Sequence, residues 1–201
     1  MANNKYKIAV VQLNLNDVAE NNLKKCFSWV REAAKMGAEV ISLPELYSSH
    51  YFCQSEDVDN FALAEPLYST SFIAFSELAK ELGVVIIVPF FEKRMAGIYH
   101  NSAYIIDTDG SEAGLYRKMH IPDDPHFYEK FYFTLGDLGF DLVERLLPAL
   151  RLLGGGGAGA VAGDIILQLG ALRGLGGARG FQLRQPFGAL PFETVVIAGI
   201  K

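Results

Sequence analysis

Two apolar runs of strand length, Lys7 to Leu13 and Glu39 to Leu43, are separated by a single amphipathic stretch, and this spacing constrains the fold most. Both runs are rich in β-branched residues and nearly unbroken by polar ones, the pattern of strands covered on both faces. Between them, Asp17 with Glu20 three residues later reads as a capping box opening a helix. Ala19, Leu23, Cys26, Phe27, Val30, Ala33 and Ala34 then recur at helical spacing, with polar residues in the intervals. Gly37 is placed to end that helix in the left-handed conformation. A strand, a helix and a second strand in this order form a βαβ unit, which predicts a parallel pair and an α/β fold.

The pattern continues after a long connection. Pro44 to Ser69 reads as a loop, and a loop of that length inside a compact domain usually carries function. Ser71 to Leu82 is a second predicted helix, with Phe72, Phe75, Leu78, Ala79 and Leu82 on one face and Gly83 as its cap. Val84 to Val88 is a third strand. Ile98 to Asp107 and Glu112 to Tyr116 form a hairpin around Thr108-Asp109-Gly110, where Asp-Gly is a turn signal. Met119 to Phe140 is a loop dense in aromatic residues and prolines. Beyond it, Asp141 to Leu153 reads as a helix broken by Pro148, and Ile165 to Leu169 and Thr194 to Ile200 as short strands.

Composition changes abruptly near residue 140. The first 140 residues carry a net charge of −7, the last 61 a net charge of +2, and those 61 hold 13 of the 20 glycines. They contain no Ser, Asn, His, Tyr, Trp, Met or Cys. We therefore expect one domain over residues 1–140 and an unlike Gly/Leu/Ala-rich segment over 141–201. The overall charge of −5 gives no reason to expect nucleic acid or an acidic membrane surface as partner. No apolar run is long enough to span a bilayer. No targeting segment is expected ahead of the first strand, and the cysteines, Cys26 and Cys53, are expected to suit a reducing cytoplasm.

Glu45 ends the second strand run as Leu43-Pro44-Glu45-Leu46, and Lys118 follows the hairpin within Tyr116-Arg117-Lys118-Met119-His120-Ile121-Pro122-Asp123-Asp124-Pro125. With Ala9-Val10-Val11-Gln12, Tyr99-His100-Asn101-Ser102-Ala103, Phe127-Tyr128-Glu129-Lys130-Phe131-Tyr132-Phe133 and Gly136-Asp137-Leu138-Gly139-Phe140, these segments resemble the nitrilase, or carbon–nitrogen hydrolase, superfamily. Within it they are most similar to the branch acting on carbamoyl amines. The resemblance covers residues 1–140 and implies a partial α-β-β-α sandwich that assembles into homo-oligomers.

The resemblance implies a Glu–Lys–Cys site. Glu45 matches the general base, Lys118 the lysine, and Glu129 a supporting glutamate, with Asp123 and Asp124 as competitors for that last role. It further implies a small-molecule carbamoyl amine or amide as substrate, N-carbamoylputrescine of polyamine biosynthesis above all, giving putrescine, ammonia and carbon dioxide, with no cofactor and no metal. A thiolate attacks the poorly electrophilic carbonyl and divides one hard step into two. A glutamate moves the protons, and an ammonium steadies the oxyanion.

The window where the family carries its cysteine falls here on Leu153-Gly154-Gly155-Gly156-Gly157-Ala158, which offers no nucleophile. Cys26 lies on the apolar stripe of the first helix and reads as a core residue, while Cys53, in the loop beside His50, reads as an exposed thiol with no catalytic counterpart in the family. His120, His126, Asp123 and Asp124 have no common metal-ligand spacing, and Gly154 to Gly157 has no phosphate-binding fingerprint. The chain is thus expected to be inactive as written. The other reading is a non-catalytic ligand- or partner-binding protein on a truncated nitrilase-like fold. The segment after residue 140 is open to three accounts: a frameshift or chimeric junction, a divergent native end, or a designed sequence. Under each, the sheet is expected to expose apolar surface where a second layer is missing.

Overall fold

The computed structural model describes residues 6–139 and the strand 192–199. The order of elements is β1 (Tyr6–Leu13), α1 (Ala19–Lys35), β2 (Val40–Ser42), α2 (Thr70–Leu82), β3 (Val85–Met95), β4 (Ile98–Ile106), β5 (Glu112–Arg117), α3 (Glu129–Tyr132) and β6 (Phe192–Gly199). Two short 3-10 turns, Phe52–Gln54 and Val58–Leu63, lie in the long connection between β2 and α2. The strands form one sheet in the order β5-β4-β3-β2-β1-β6. β1 is parallel to both β2 and β6, and β2 is parallel to β3. β3, β4 and β5 form an antiparallel meander. The fold is α/β, as the βαβ opening requires. The expected strand at Thr194 to Ile200 is β6, while the expected helix at Asp141 to Leu153 and strand at Ile165 to Leu169 lie outside the described residues.

Both long helices cover one face of the sheet. Val30 and Ala33 of α1 and Phe75 and Leu78 of α2 share a core with Ala9, Val11, Ile41, Ile86, Val88, Phe90 and Tyr104. Strand side chains alternate between faces, so Ile8, Val40, Val85, Ile87 and Ile105 point away from the helices. They too are buried, and the exposed apolar face expected from the sequence is not found at these positions.

Three local expectations are corrected. The capping box is not formed: α1 starts at Ala19 with Val18 at its cap and no side-chain cap. The Asp17 carboxylate instead meets His50 Nδ1 at 2.6 Å, and Glu20 pairs with Lys24 one turn on. Asn22, which the helical pattern assigns to the polar side, is wholly buried. Its side chain accepts from Asn16 N–H and donates to Asn16 O and Ser48 O, tying the long loop to the start of α1. The third strand runs seven residues beyond Val88, through Pro89 to Met95. Proline is tolerated there because β2 ends at Ser42, opposite Ile87, so Pro89 has no partner strand on that side to lose a bond with. Gly97, at φ +79°, makes the tight return into β4.

A second cluster forms under the long loop from Leu46, Phe52, Cys53, Phe91, Ile121, Tyr132 and Phe133. Phe52 meets Tyr132 edge-on at 4.9 Å between ring centroids, and Phe91 meets Phe133 at 5.1 Å. A fully buried phenyl contributes roughly 1.5–3 kcal/mol, so this cluster holds the loop after β2 firmly against residues 119–134. Those two segments carry Glu45 and Glu129.

Candidate active site

Glu45, Lys118 and Glu129 come from three separate parts of the chain and meet at one point. Glu45 lies three residues beyond β2, whose line is continued by a Leu43 N–H to Ile87 O bond of 3.0 Å. The chain then turns sharply at Leu46, which adopts φ +52° while fully buried in the aromatic cluster. A left-handed leucine costs roughly 1–2 kcal/mol, and the burial of its side chain offsets this. Lys118 follows β5 directly. Its N–H donates to Asn101 O at 2.8 Å and its carbonyl accepts from Gly136 N–H at 2.9 Å. Glu129 opens α3, and the preceding Tyr128 N–H is tied to Cys53 O at 2.8 Å.

The Lys118 ammonium lies between the two carboxylates, donating to Glu45 Oε1 at 3.1 Å and to Glu129 Oε2 at 2.7 Å. Asn101 Nδ2 donates to the same Glu45 oxygen at 2.6 Å, and the Tyr51 hydroxyl donates to Glu129 Oε1 at 2.8 Å. Asn101 and Glu129 are buried, and the Glu45 and Lys118 side chains keep 11% and 23% exposure. Burial by itself would lower the Lys118 pKa. The charges of Glu45 and Glu129 and their hydrogen bonds outweigh it and hold the ammonium above its ordinary value. Burial, then the bond to Glu129, pushes the Tyr51 phenol up. The result is a fixed ammonium flanked by two carboxylates, able to present N–H donors to an anionic oxygen and a carboxylate to a labile proton.

The structure also sorts the weaker candidates. Of the three acids competing for the place beside Lys118, Glu129 reaches it. Asp123 faces Lys130 at 3.8 Å, and Asp124 is exposed. Cys26 is in the core, and burial pushes its thiol up to about 12. Cys53 is not the exposed thiol expected from its loop position. It is wholly buried in the aromatic cluster, because Phe52 and Phe91 close over the loop. Sequence reasoning missed the parts played by Asn101 and Tyr51. Asn101 had a signal, a polar His100-Asn101-Ser102 run inside an apolar strand, whereas nothing around Tyr51 marked it.

A second charged network lies beside the first. Arg117 grips the fully buried Glu92 through Nε at 2.8 Å and Nη2 at 2.5 Å, and reaches Asp137 through Nη1 at 2.9 Å. Ser102 Oγ donates to Glu92 at 2.6 Å. A Cβ at Gly136 would lie 2.0 Å from Arg117 O, so only glycine lets this segment close on the Arg117–Lys118 backbone.

The carbon–nitrogen hydrolase family model matches residues 7–154 of the chain. The chain belongs to the carbon–nitrogen hydrolase family. It is 46% identical over 140 residues to an N-carbamoylputrescine amidase of Oryza sativa subsp. japonica, a match covering 69% of this chain and 46% of that protein. It is 43% identical over 135 residues to a citrullinase of Francisella tularensis, covering 67% of this chain and 47% of that one. A crystal structure of a carbon–nitrogen hydrolase from Helicobacter pylori G27 superposes with a TM-score of 0.62 at 46% identity, over 66% of this chain and 46% of that one. The chain thus spans about half the length of the curated relatives it matches. Its α/β sheet is the nitrilase-like fold expected from the resemblance. Among the described residues, no helix is long and apolar enough to cross a membrane.

Proposed function

We propose that this site binds a linear carbamoyl amine, with N-carbamoylputrescine as the leading candidate, in the geometry of a Glu–Lys–Cys hydrolase. The supporting observation is Lys118 held between Glu45 and Glu129 by hydrogen bonds of 3.1 and 2.7 Å. In the complete reaction the carbamoyl group reacts with water to give putrescine, ammonia and carbon dioxide. Lys118 is the donor placed for the oxyanion, and Glu45 the base that takes a proton from the nucleophile and returns one to departing ammonia. Glu129 fixes the lysine head. A thiolate must supply the attack, and residues 153–158 contain no cysteine. The chain as written therefore binds and polarises its ligand without turning it over. Homo-oligomerisation and a cytoplasmic location belong to the same reading.

Calorimetric titration with N-carbamoylputrescine and an ammonia assay test it together. Expected are saturable binding, weakened at least about tenfold by Glu45→Gln, and no ammonia release. Turnover would overturn the binding-only reading, and the absence of binding to any carbamoyl amine or amide would overturn the whole.

A further inference from the structure

We propose that Asn101 is the positioning residue of this site, clamping Glu45 with its side chain and Lys118 with its backbone. The inference rests on the reading of Glu45 and Lys118 as the functional pair, and it assigns the part that sets their separation.

Three contacts close a ring. Asn101 Nδ2 donates to Glu45 Oε1 at 2.6 Å, Lys118 N–H donates to Asn101 O at 2.8 Å, and Lys118 Nζ donates back to Glu45 Oε1 at 3.1 Å. The members differ in how firmly the fold holds them. Asn101 sits inside β4, opposite Phe91 of β3, next to Ser102, which pairs with Arg117 of β5. Its backbone cannot shift without disturbing ladders on both sides. Glu45 lies in the connection after β2, and Lys118 carries its charge on a long flexible stem beyond the end of β5. A rigid residue thus joins two that the backbone alone holds less firmly.

The residue type fits the task. A buried amide donates to a carboxylate without adding charge. An aliphatic side chain would remove a hydrogen bond from Glu45, and a second carboxylate would repel it. The clamp therefore fixes the Glu45 oxygen on which Lys118 rests. A purely space-filling role for Asn101 would not have this effect.

The test uses the full chain labelled with 13C at lysine Cε, with the Lys118 signal assigned by its loss in Lys118→Arg and followed through a pH titration. In Asn101→Ala the Lys118 midpoint is expected to fall by about one pH unit, the low end of what an opposite charge at hydrogen-bond distance contributes. In Asn101→Asp, which is nearly isosteric, two carboxyls within hydrogen-bond reach share a proton, and the Lys118 signal is expected to report a new step absent from the unaltered chain. Ser102→Ala is the structural control. It removes a buried hydrogen bond of 2.6 Å to Glu92 on the same strand, and should lower the melting temperature while leaving Lys118 unmoved. If Lys118 titrates unchanged in Asn101→Ala and Asn101→Asp while the melting temperature falls as in the control, the clamp is overturned. If Asn101→Ala does not fold, Asn101→Asp decides alone: the new step supports the clamp and its absence overturns it. Lys118 responses in a chain that binds no carbamoyl amine would remove the proposed function and still support the clamp.

Discussion

Arg117 and Lys118 are neighbours in the chain, yet their charges enter two separate networks. Arg117 binds Glu92 and Asp137, while Lys118 binds Glu45 and Glu129. Along an extended backbone, successive side chains point to opposite sides. One dipeptide therefore anchors the end of β5 and delivers the ammonium to the site. The anchor and the site can be perturbed independently.

Arg117→Leu should be strongly destabilising. It leaves Glu92, wholly buried, with only the Ser102 hydroxyl among the contacts described above. Breaking a buried pair from one side costs about 3–5 kcal/mol, and urea denaturation followed by circular dichroism should show a loss of that order. Stability close to that of the unaltered chain would mean that the Glu92 pairing adds little.

Lys118→Met should act on binding more than on folding. It removes the cation between Glu45 and Glu129, whose carboxylates are then left facing each other. The expectation is at least about a tenfold loss of carbamoyl-amine affinity, partly recovered at acid pH as one carboxylate takes up a proton. Affinity within twofold of the unaltered chain would remove Lys118 from the site.

Asp137 makes the acid limb of stability predictable. Hydrogen bonds from Arg117 and then Arg94 lower its pKa from 3.8 to about 2. A group with a depressed folded-state pKa contributes stability above its unfolded value and loses that contribution as pH falls through its folded value. Asp137→Asn should therefore reduce the steepness of stability against pH between about 4 and 2, by a modest amount because the carboxylate is half-exposed. Unaltered acid melting curves would count against the Arg117–Asp137 bond.

Gly136 and Gly139 should respond unequally. Gly136→Ala drives a methyl group into Arg117 O and should cost more than about 2 kcal/mol, in the range of forced overpacking or above. Gly139 has φ +68° and, among the described residues, nothing within 4 Å of an added Cβ, so Gly139→Ala should cost only the conformational term of about 1–2 kcal/mol. Equal losses in thermal melts would contradict the close approach at Arg117.

Cys26 and Cys53 should both resist alkylation in the folded chain, since both are fully buried. Iodoacetamide at pH 8 should label them only as fast as the chain opens, and denaturant should release both. A thiol labelled rapidly in native buffer would show that the aromatic cluster over Cys53 opens.

The βαβ opening, the long helices, the hairpin at Asp109-Gly110 and the positions of Glu45 and Lys118 at strand ends were legible because they depend on local periodicity and turn chemistry. Asp17 was misread because its carboxylate had a choice. The cap of α1 is a local offer, whereas His50 arrives from another part of the chain. Cys53 was misread for a related reason: a loop position implies exposure until aromatic residues distant in sequence, Phe91 and Phe133 among them, are brought over it.

The sequence by itself determined the α/β class, the order of its first elements and which acid and which base stand at strand ends, because backbone propensity and hydrophobic period act over a few residues. Only the tertiary structure decided that Glu129, not Asp123 or Asp124, reaches Lys118, and that Asn101 and Tyr51 hold the two carboxylates. Those bonds join residues 11 to 78 positions apart. The sheet register and the aromatic cluster set their lengths, and no local pattern in the sequence encodes such a distance.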